Sequence, residues 1–304
     1  MAFDPNTPPT RETLKTLPPL VLDGAWGTEL EKLGAQPGEM CDPWNTEHPE
    51  RVQRVAEAYV EAGAQIVLTN TFSANRITLA KHGLEGRVAE INRAGAEISR
   101  RAAQGRAYVF ASLGPTGKMV MMGEVTPEAV EAAYAEQAAA LIEGGADALV
   151  LETMADAVEA EAALRGAVSV AGERPVGVSF TFDSGEGGAF TMMGVSIEQA
   201  WALAHDGGAS FVGANCGAGI ETFPALARRY AACGDALPIW IKGNAGQPEL
   251  VDGRTVFRAT PQVYADAVAP LLAAGARMIG GCCGSTPEHV RAIADRMRNE
   301  STTR

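Results

Sequence analysis

Along most of the chain, short apolar runs alternate with longer segments whose apolar residues recur at helical spacing. The runs occupy 20–23, 65–69, 108–112, 148–152, 176–182, 211–215, 239–242 and 278–281. They are too short for helices and are bounded by turn residues, so they predict buried strands. The segments between and after them predict helices near 47–62, 87–103, 126–144, 156–171, 196–206, 220–233, 260–273 and 286–299. Gly63-Ala64, Gly145-Ala146, Gly208-Ala209 and Gly275-Ala276 each precede a run; the glycine caps a helix and the small alanine admits a tight entry into the strand. Thr126-Pro127-Glu128 and Thr286-Pro287-Glu288 read as helix starts, with Thr at the N-cap and Pro at the first helical position. Strand and helix in regular alternation predict an α/β fold, a single-domain (β/α)8 TIM barrel over 20–299, with an open doubly wound sheet as the competing arrangement. A proline-rich stretch over 1–19 is expected to be an extended arm, and 300–304 a C-terminal tail.

This assignment puts the polar residues Asp23, Thr69-Asn70-Thr71, Glu152, Asn215-Cys216, Asn244 and Cys282-Cys283 at the C-terminal ends of strands. In a barrel that end is the active-site mouth. Composition narrows the function further. A net charge of −12 argues against nucleic acid as a partner. No segment reaches the ~18 uninterrupted apolar residues of a membrane helix, and the N-terminus lacks a signal-peptide core, so neither membrane association nor secretion is expected and the location reads as cytoplasmic. Five cysteines, an odd number, point to metal binding or catalysis rather than to a disulfide framework.

Gly280-Gly281-Cys282-Cys283-Gly284, taken with Cys216, predicts a three-thiolate zinc site with one position open, the catalytic pattern for Zn2+. Neighbouring residues of a strand point to opposite faces, so Cys282 and Cys283 can share a metal only where the chain bends, which Gly280, Gly281 and Gly284 are expected to permit. A vicinal disulfide or two buried thiols are the plainer alternatives. In the turn Asp23-Gly24-Ala25-Trp26-Gly27-Thr28, backbone N–H groups at Gly24 and Ala25 suit a carboxylate and Asp23 suits an ammonium; alternatively Thr28 and Glu31 form a capping box. Glu152 ends an apolar strand and needs a cationic ligand or an internal partner. The amides of Asn70, Asn215 and Asn244 either orient substrate or close turns, and Asn244 is a candidate fourth ligand in the absence of substrate. Trp44 either caps the mouth, offering its ring face to a cationic methyl donor, or simply packs. Lys242 would serve a Schiff-base aldolase, a different enzyme class. The Gly-rich 184–188 stretch reads as a mobile connection, Met119, Met121 and Met122 as a soft patch that either packs in the loop or offers a donor or partner surface, and Cys41 and Cys233 as bystanders.

Together these motifs, with Thr69-Asn70-Thr71-Phe72 and Gly114-Pro115-Thr116-Gly117, resemble the homocysteine S-methyltransferase family nearly end to end. The resemblance implies a (β/α)8 barrel, zinc on Cys216, Cys282 and Cys283, and a fourth position taken by the homocysteine sulfur. It further implies that the first-strand turn holds the amino-acid carboxylate while Asp23 and Glu152 hold the ammonium. A thiol of pKa ~8.5 becomes a nucleophile on coordination to zinc, which deprotonates it. The family includes betaine-dependent and S-methylmethionine-dependent enzymes and the homocysteine-binding module of cobalamin-dependent methionine synthase. Ser73 and Thr153 stand where the betaine enzymes carry tyrosine, whereas 69–72 and 152–154 look more like the methionine synthase module. The expected donor is therefore methylcobalamin on a partner protein, since a chain ending at Arg304 leaves no room for a corrinoid domain, with a small onium compound as the alternative. A zinc-structured binding or regulatory protein without catalysis is the reading of another class, and a homo-oligomer is compatible with any of these.

Overall fold

The computed structural model describes residues 2–251 and 254–302. In chain order the strands are β1 (Leu20–Val21), β2 (Ile66–Leu68), β3 (Tyr108–Leu113), β4 (Ala148–Met154), β5 (Val176–Phe180), β6 (Phe211–Gly219), β7 (Ile239–Asn244), β8 (Glu249–Val251), β9 (Arg254–Val256) and β10 (Ala276–Gly281). The helices are α1 (Gly27–Lys32), α2 (Trp44–Glu47), α3 (Pro49–Glu61), α4 (Arg76–Ala80), α5 (Val88–Ala103), α6 (Pro127–Glu143), α7 (Ala157–Ala171), α8 (Ile197–Asp206), α9 (Phe223–Cys233), α10 (Pro261–Ala273) and α11 (Pro287–Thr302). Eight strands make one parallel sheet in the order β1-β10-β7-β6-β5-β4-β3-β2. A parallel bridge between Leu22 and Ile66, with Gln65 N donating to Val21 O at 2.8 Å, brings its two edges together. The sheet is thus a (β/α)8 barrel and not an open doubly wound sheet.

The strand entries follow from backbone conformation. Gly63, Gly145, Gly208 and Gly275 have φ of +104°, +94°, +77° and +98°, the left-handed geometry that closes a helix and that glycine adopts without a Cβ penalty. Thr126 caps α6 by accepting from Ala129 N. The short helices α1, α2 and α4 and the antiparallel β8–β9 hairpin lie in the loops above the mouth, and the apolar pattern announced none of α2, α4 or the hairpin.

Inside the barrel, Leu20, Leu22, Ile66, Leu68, Tyr108, Phe110, Ala148, Val150, Phe211, Trp240 and Met278 form one buried cluster. Phe110 and Phe211 lie against Trp240 with ring centroids 6.1 and 5.4 Å away. The N-terminal arm does not simply extend. It turns through a 3-10 segment, Leu14–Thr16, and inserts Leu14 and Leu17 into the same cluster, while Tyr108 Oη donates to Asp4 O at 3.0 Å. The arm therefore seals the end of the barrel opposite the mouth. At the other terminus α11 runs through the start of the expected tail to Thr302; Met1, Thr303 and Arg304 lie outside the described residues. Among the described residues no helix is long and apolar enough to cross a membrane.

Candidate functional site

The two-residue period of the strands builds the site directly on the apolar plug. One step along β3, β4 and β7 from Phe110, Val150 and Trp240 come Ser112, Glu152 and Lys242. These polar side chains line a cavity of about 380 Å³ together with Cys216, Cys282, Cys283 and the turn from Gly24 to Thr28.

The three sulfurs, carried by β6 and the segment after β10, lie within 4.8 Å of one another, and Cys216 Sγ is 3.6 Å from Cys283 Sγ. All cysteines are free thiols, so the vicinal disulfide is not present. The glycines around Cys282 and Cys283 act differently from expectation. Gly284 alone of the three is left-handed, at φ +77°. Gly280 and Gly281 are ordinary strand residues required by close approach: a Cβ on Gly280 would meet Leu22 Cβ at 2.5 Å and Asp23 O at 2.6 Å, and one on Gly281 would meet Ser285 Oγ at 2.2 Å. The bend is held by hydrogen bonds instead, from Cys282 N to Gly243 O (2.7 Å), from Ala245 N to Cys283 O (2.9 Å) and from Ser285 Oγ to Cys282 O (2.7 Å).

Crowding of the thiols splits their acidities. Hydrogen bonds from Cys282 and Cys283 pull Cys216 well below the usual thiol range, and the same contacts with Cys216 push Cys282 and Cys283 up. Three convergent sulfurs suit a thiophilic, tetrahedral ion such as zinc. Beside them the Asn244 amide lies within reach of Cys216, and its Oδ1 is buried without a hydrogen-bond partner. An orphaned oxygen at that place fits a further donor to the same ion.

Two left-handed non-glycine residues flank the cluster, Cys216 at φ +62° and Thr153 at φ +64°. For a β-branched residue this costs on the order of 1–3 kcal/mol. Asn215 offsets that cost. Its Oδ1 accepts from Thr153 N (2.9 Å) and Ser179 Oγ (2.6 Å), and its Nδ2 donates to Thr153 Oγ1 (2.8 Å) and reaches Cys282 Sγ (3.9 Å). Asn215 and Asn244 stand beside the cavity wall without lining it.

Asp23 is fully buried. Its Oδ1 pairs with Lys242 Nζ at 2.5 Å, and its Oδ2 accepts from Trp26 Nε1 (2.9 Å) and Leu68 N (2.8 Å). It does not line the cavity, whereas Gly24, Ala25, Glu152 and Lys242 do. Burial pulls the Lys242 ammonium toward neutrality, but the carboxylates of Asp23 and Glu152 outweigh it and hold its pKa above the ordinary lysine value; a lysine kept protonated is no Schiff-base nucleophile. Burial pushes Glu152 up to about 7 against the opposing pull of Lys242, and its Oε1 accepts from Ser112 Oγ.

Trp44 is buried, donates to Glu39 Oε1 at 2.9 Å, has the Arg51 guanidinium 5.1 Å over its ring and is not among the cavity-lining residues. Thr28 lies inside α1 and not at its N-cap, so the capping box does not form; its Oγ1, at the cavity, is buried and unpaired. Cys41 lines the cavity, and burial raises its thiol to about 12.

Sequence reasoning passed over Ser112, Ser285 and Tyr59. Ser285 Oγ accepts from Ala25 N (3.1 Å), and Tyr59 Oη donates to Ala25 O (2.5 Å), which fixes the turn after β1. Ser285 directly follows the glycine-framed cysteines and was in principle findable; Tyr59 sits on the apolar face of α3 and gives no sign of a polar task.

The family described as homocysteine S-methyltransferase matches residues 20–297. Methionine synthase of Mycobacterium leprae is 30% identical over 302 residues and that of Mycobacterium tuberculosis 30% over 297, covering 93% and 92% of this chain. The chain spans about a quarter of the length of these curated relatives, 25% of each. The metallated crystal structure of the homocysteine methyltransferase MmuM from Escherichia coli superposes with a TM-score of 0.78 at 27% identity, covering 94% of this chain and 99% of that one.

Proposed function

This chain belongs to the homocysteine S-methyltransferase family, and from that premise we propose that it methylates the sulfur of homocysteine to give methionine. The observation that carries the reading is the convergence of Cys216, Cys282 and Cys283 in the same cavity as a buried carboxylate and the turn after β1. Those cysteines would hold Zn2+, with Asn244 the fourth donor before substrate arrives. Zinc held there supplies the Lewis acidity that brings a substrate thiol to its nucleophilic thiolate form at neutral pH.

The remaining work belongs to the protein's own groups. The unpaired Thr28 Oγ1 and the backbone N–H of Gly24 bind the carboxylate, the Ala25 N–H expected to join them being committed to Ser285 Oγ, and Glu152 accepts the ammonium. Ser112 holds the Glu152 carboxylate in place, and the Lys242–Asp23 pair fixes the floor beneath the substrate. Asn215 keeps Thr153 in its left-handed conformation beside the cysteines, so the acceptor sulfur is presented in one orientation for in-line attack.

The methyl donor is methylcobalamin carried by a separate protein. Support comes from the loops at the mouth, where Phe72, Met119, Met121, Met122, Phe190, Met192 and Leu250 are exposed apolar side chains; such a rim suits a protein partner better than bulk water. A small onium donor is the second reading, since the family includes betaine-dependent and S-methylmethionine-dependent enzymes. The test offers zinc-loaded protein homocysteine with methylcobalamin on a corrinoid protein, betaine, S-methylmethionine or a dimethylsulfonio compound. Methionine is expected with the corrinoid protein, and absence of methionine with every donor overturns the proposal. X-ray absorption separates catalysis from a closed structural site: a new sulfur neighbour at zinc on adding homocysteine is expected, and unchanged coordination excludes the enzyme.

A further inference from the structure

Glu152 lines the inner wall of the cavity and Asp23 is buried behind it, and between the two carboxylates the chain places its own ammonium. Lys242 is 2% exposed, yet it borders the cavity. Its Nζ is 2.5 Å from Asp23 Oδ1, and Glu152 is its second acidic neighbour. The other Asp23 oxygen is engaged by Trp26 Nε1 and Leu68 N, so both oxygens of this carboxylate are committed inside the protein. Glu152 differs. Ser112 Oγ donates to its Oε1, and its Oε2 has no hydrogen bond among the described residues.

Charge accounting then bears on the acceptor. Two carboxylates without a lysine would form a doubly negative recess fitted to a cation; with Lys242 present, at most one negative charge is left over. An acceptor's ammonium must also approach Lys242, and two like charges at close range in a water-poor site repel strongly.

The geometry points to Lys242 as the residue that sets the acceptor class: by holding Asp23 it leaves Glu152 as the single carboxylate for an α-ammonium, so the pocket takes ω-mercapto carboxylates lacking the amino group alongside homocysteine. This rests on the thiol-acceptor reading above and narrows it. The carboxylate and thiol ends of such an acceptor meet the same groups in both cases, and only the amino group is tested against the Lys242 side of the wall.

The experiment titrates zinc-loaded protein calorimetrically with L-homocysteine and with 4-mercaptobutyrate, which is homocysteine without its amino group. Wild type is expected to bind the two within about threefold of each other. Lys242→Met, which leaves the Asp23 charge uncompensated behind Glu152, is expected to shift the ratio about tenfold toward homocysteine. The double variant Asp23→Asn/Lys242→Met removes the pair without leaving a buried charge and is expected to return the wild-type ratio. Discrimination of about a hundredfold against 4-mercaptobutyrate by wild type overturns the inference, as does an unchanged ratio in a folded Lys242→Met protein. Should Lys242→Met fail to fold, the wild-type ratio and the double variant still decide. If neither thiol binds wild type, the thiol-acceptor reading itself falls, an outcome distinct from binding of homocysteine alone.

Discussion

The two ends of the barrel interior are built from the same strands and behave oppositely. At the N-terminal end, Leu14 and Leu17 of the arm close over Leu20, Tyr108, Phe110 and Met278, and the side chains that meet there form an apolar cluster. At the C-terminal end, the next inward positions are Ser112, Glu152 and Lys242, the three thiols converge, and Thr153 and Cys216 are held in left-handed backbone. The first end gains stability from burial, while the second carries buried charge and strain that the first must offset. A barrel can hold a reactive mouth because its opposite end is sealed.

Changes at either end, and one that couples them, test that division. The largest effect is expected for Cys283→Ala: zinc content, measured by metal analysis, falls from one equivalent to background and methyl transfer is lost with it, while the melting temperature of the metal-free protein is little changed. Retention of either metal or activity means the ligand set is wrong. Leu17→Ala acts at the other end and should cost about 2–5 kcal/mol in denaturant unfolding, as for other large-to-small core changes, with zinc stoichiometry intact. Gly280→Ala couples the ends, because its Cβ would press on Leu22 and on Asp23 O. It is expected to cost about 1–3 kcal/mol and also to weaken metal binding, and a change in only one of the two would show that the strand absorbs the added methyl locally. Asn215→Ala should lower zinc affinity about 10–100-fold, the usual effect of removing a group that orients ligands, read by competition with a chelator. The smallest effect is expected for Glu152→Gln, with KM for homocysteine raised about tenfold and kcat nearly unchanged; equal loss in kcat would assign Glu152 to the chemical step.

Much of this was legible in the chain. The strand runs match the barrel strands to within a few residues, and the glycines before 64, 146, 209 and 276 have the left-handed φ that the Gly-Ala punctuation predicts. Cys216, Cys282 and Cys283 could be grouped because each stands at the end of a run, and ends of parallel barrel strands meet at one mouth. The arm's role as a plug was not legible, since proline richness reports backbone stiffness and not where two leucines will insert. Nor was the division of labour between Asp23 and Glu152. Both are lone acids at strand ends, and only the structure shows one paired internally and the other open to the cavity.

By itself, then, the sequence determined the elements, their alternation and the reactive residue types, because these depend on local periodicity and on chemistry carried by single side chains. The tertiary structure alone decided partnership. Lys242 and Asp23 are 219 residues apart along the chain and meet at 2.5 Å only because β1 and β7 converge at the mouth, each flanking β10, at a register set by closure of the barrel. No local pattern encodes that register, since a strand's alternation fixes which side chains point inward but not which inward side chain of another strand stands opposite.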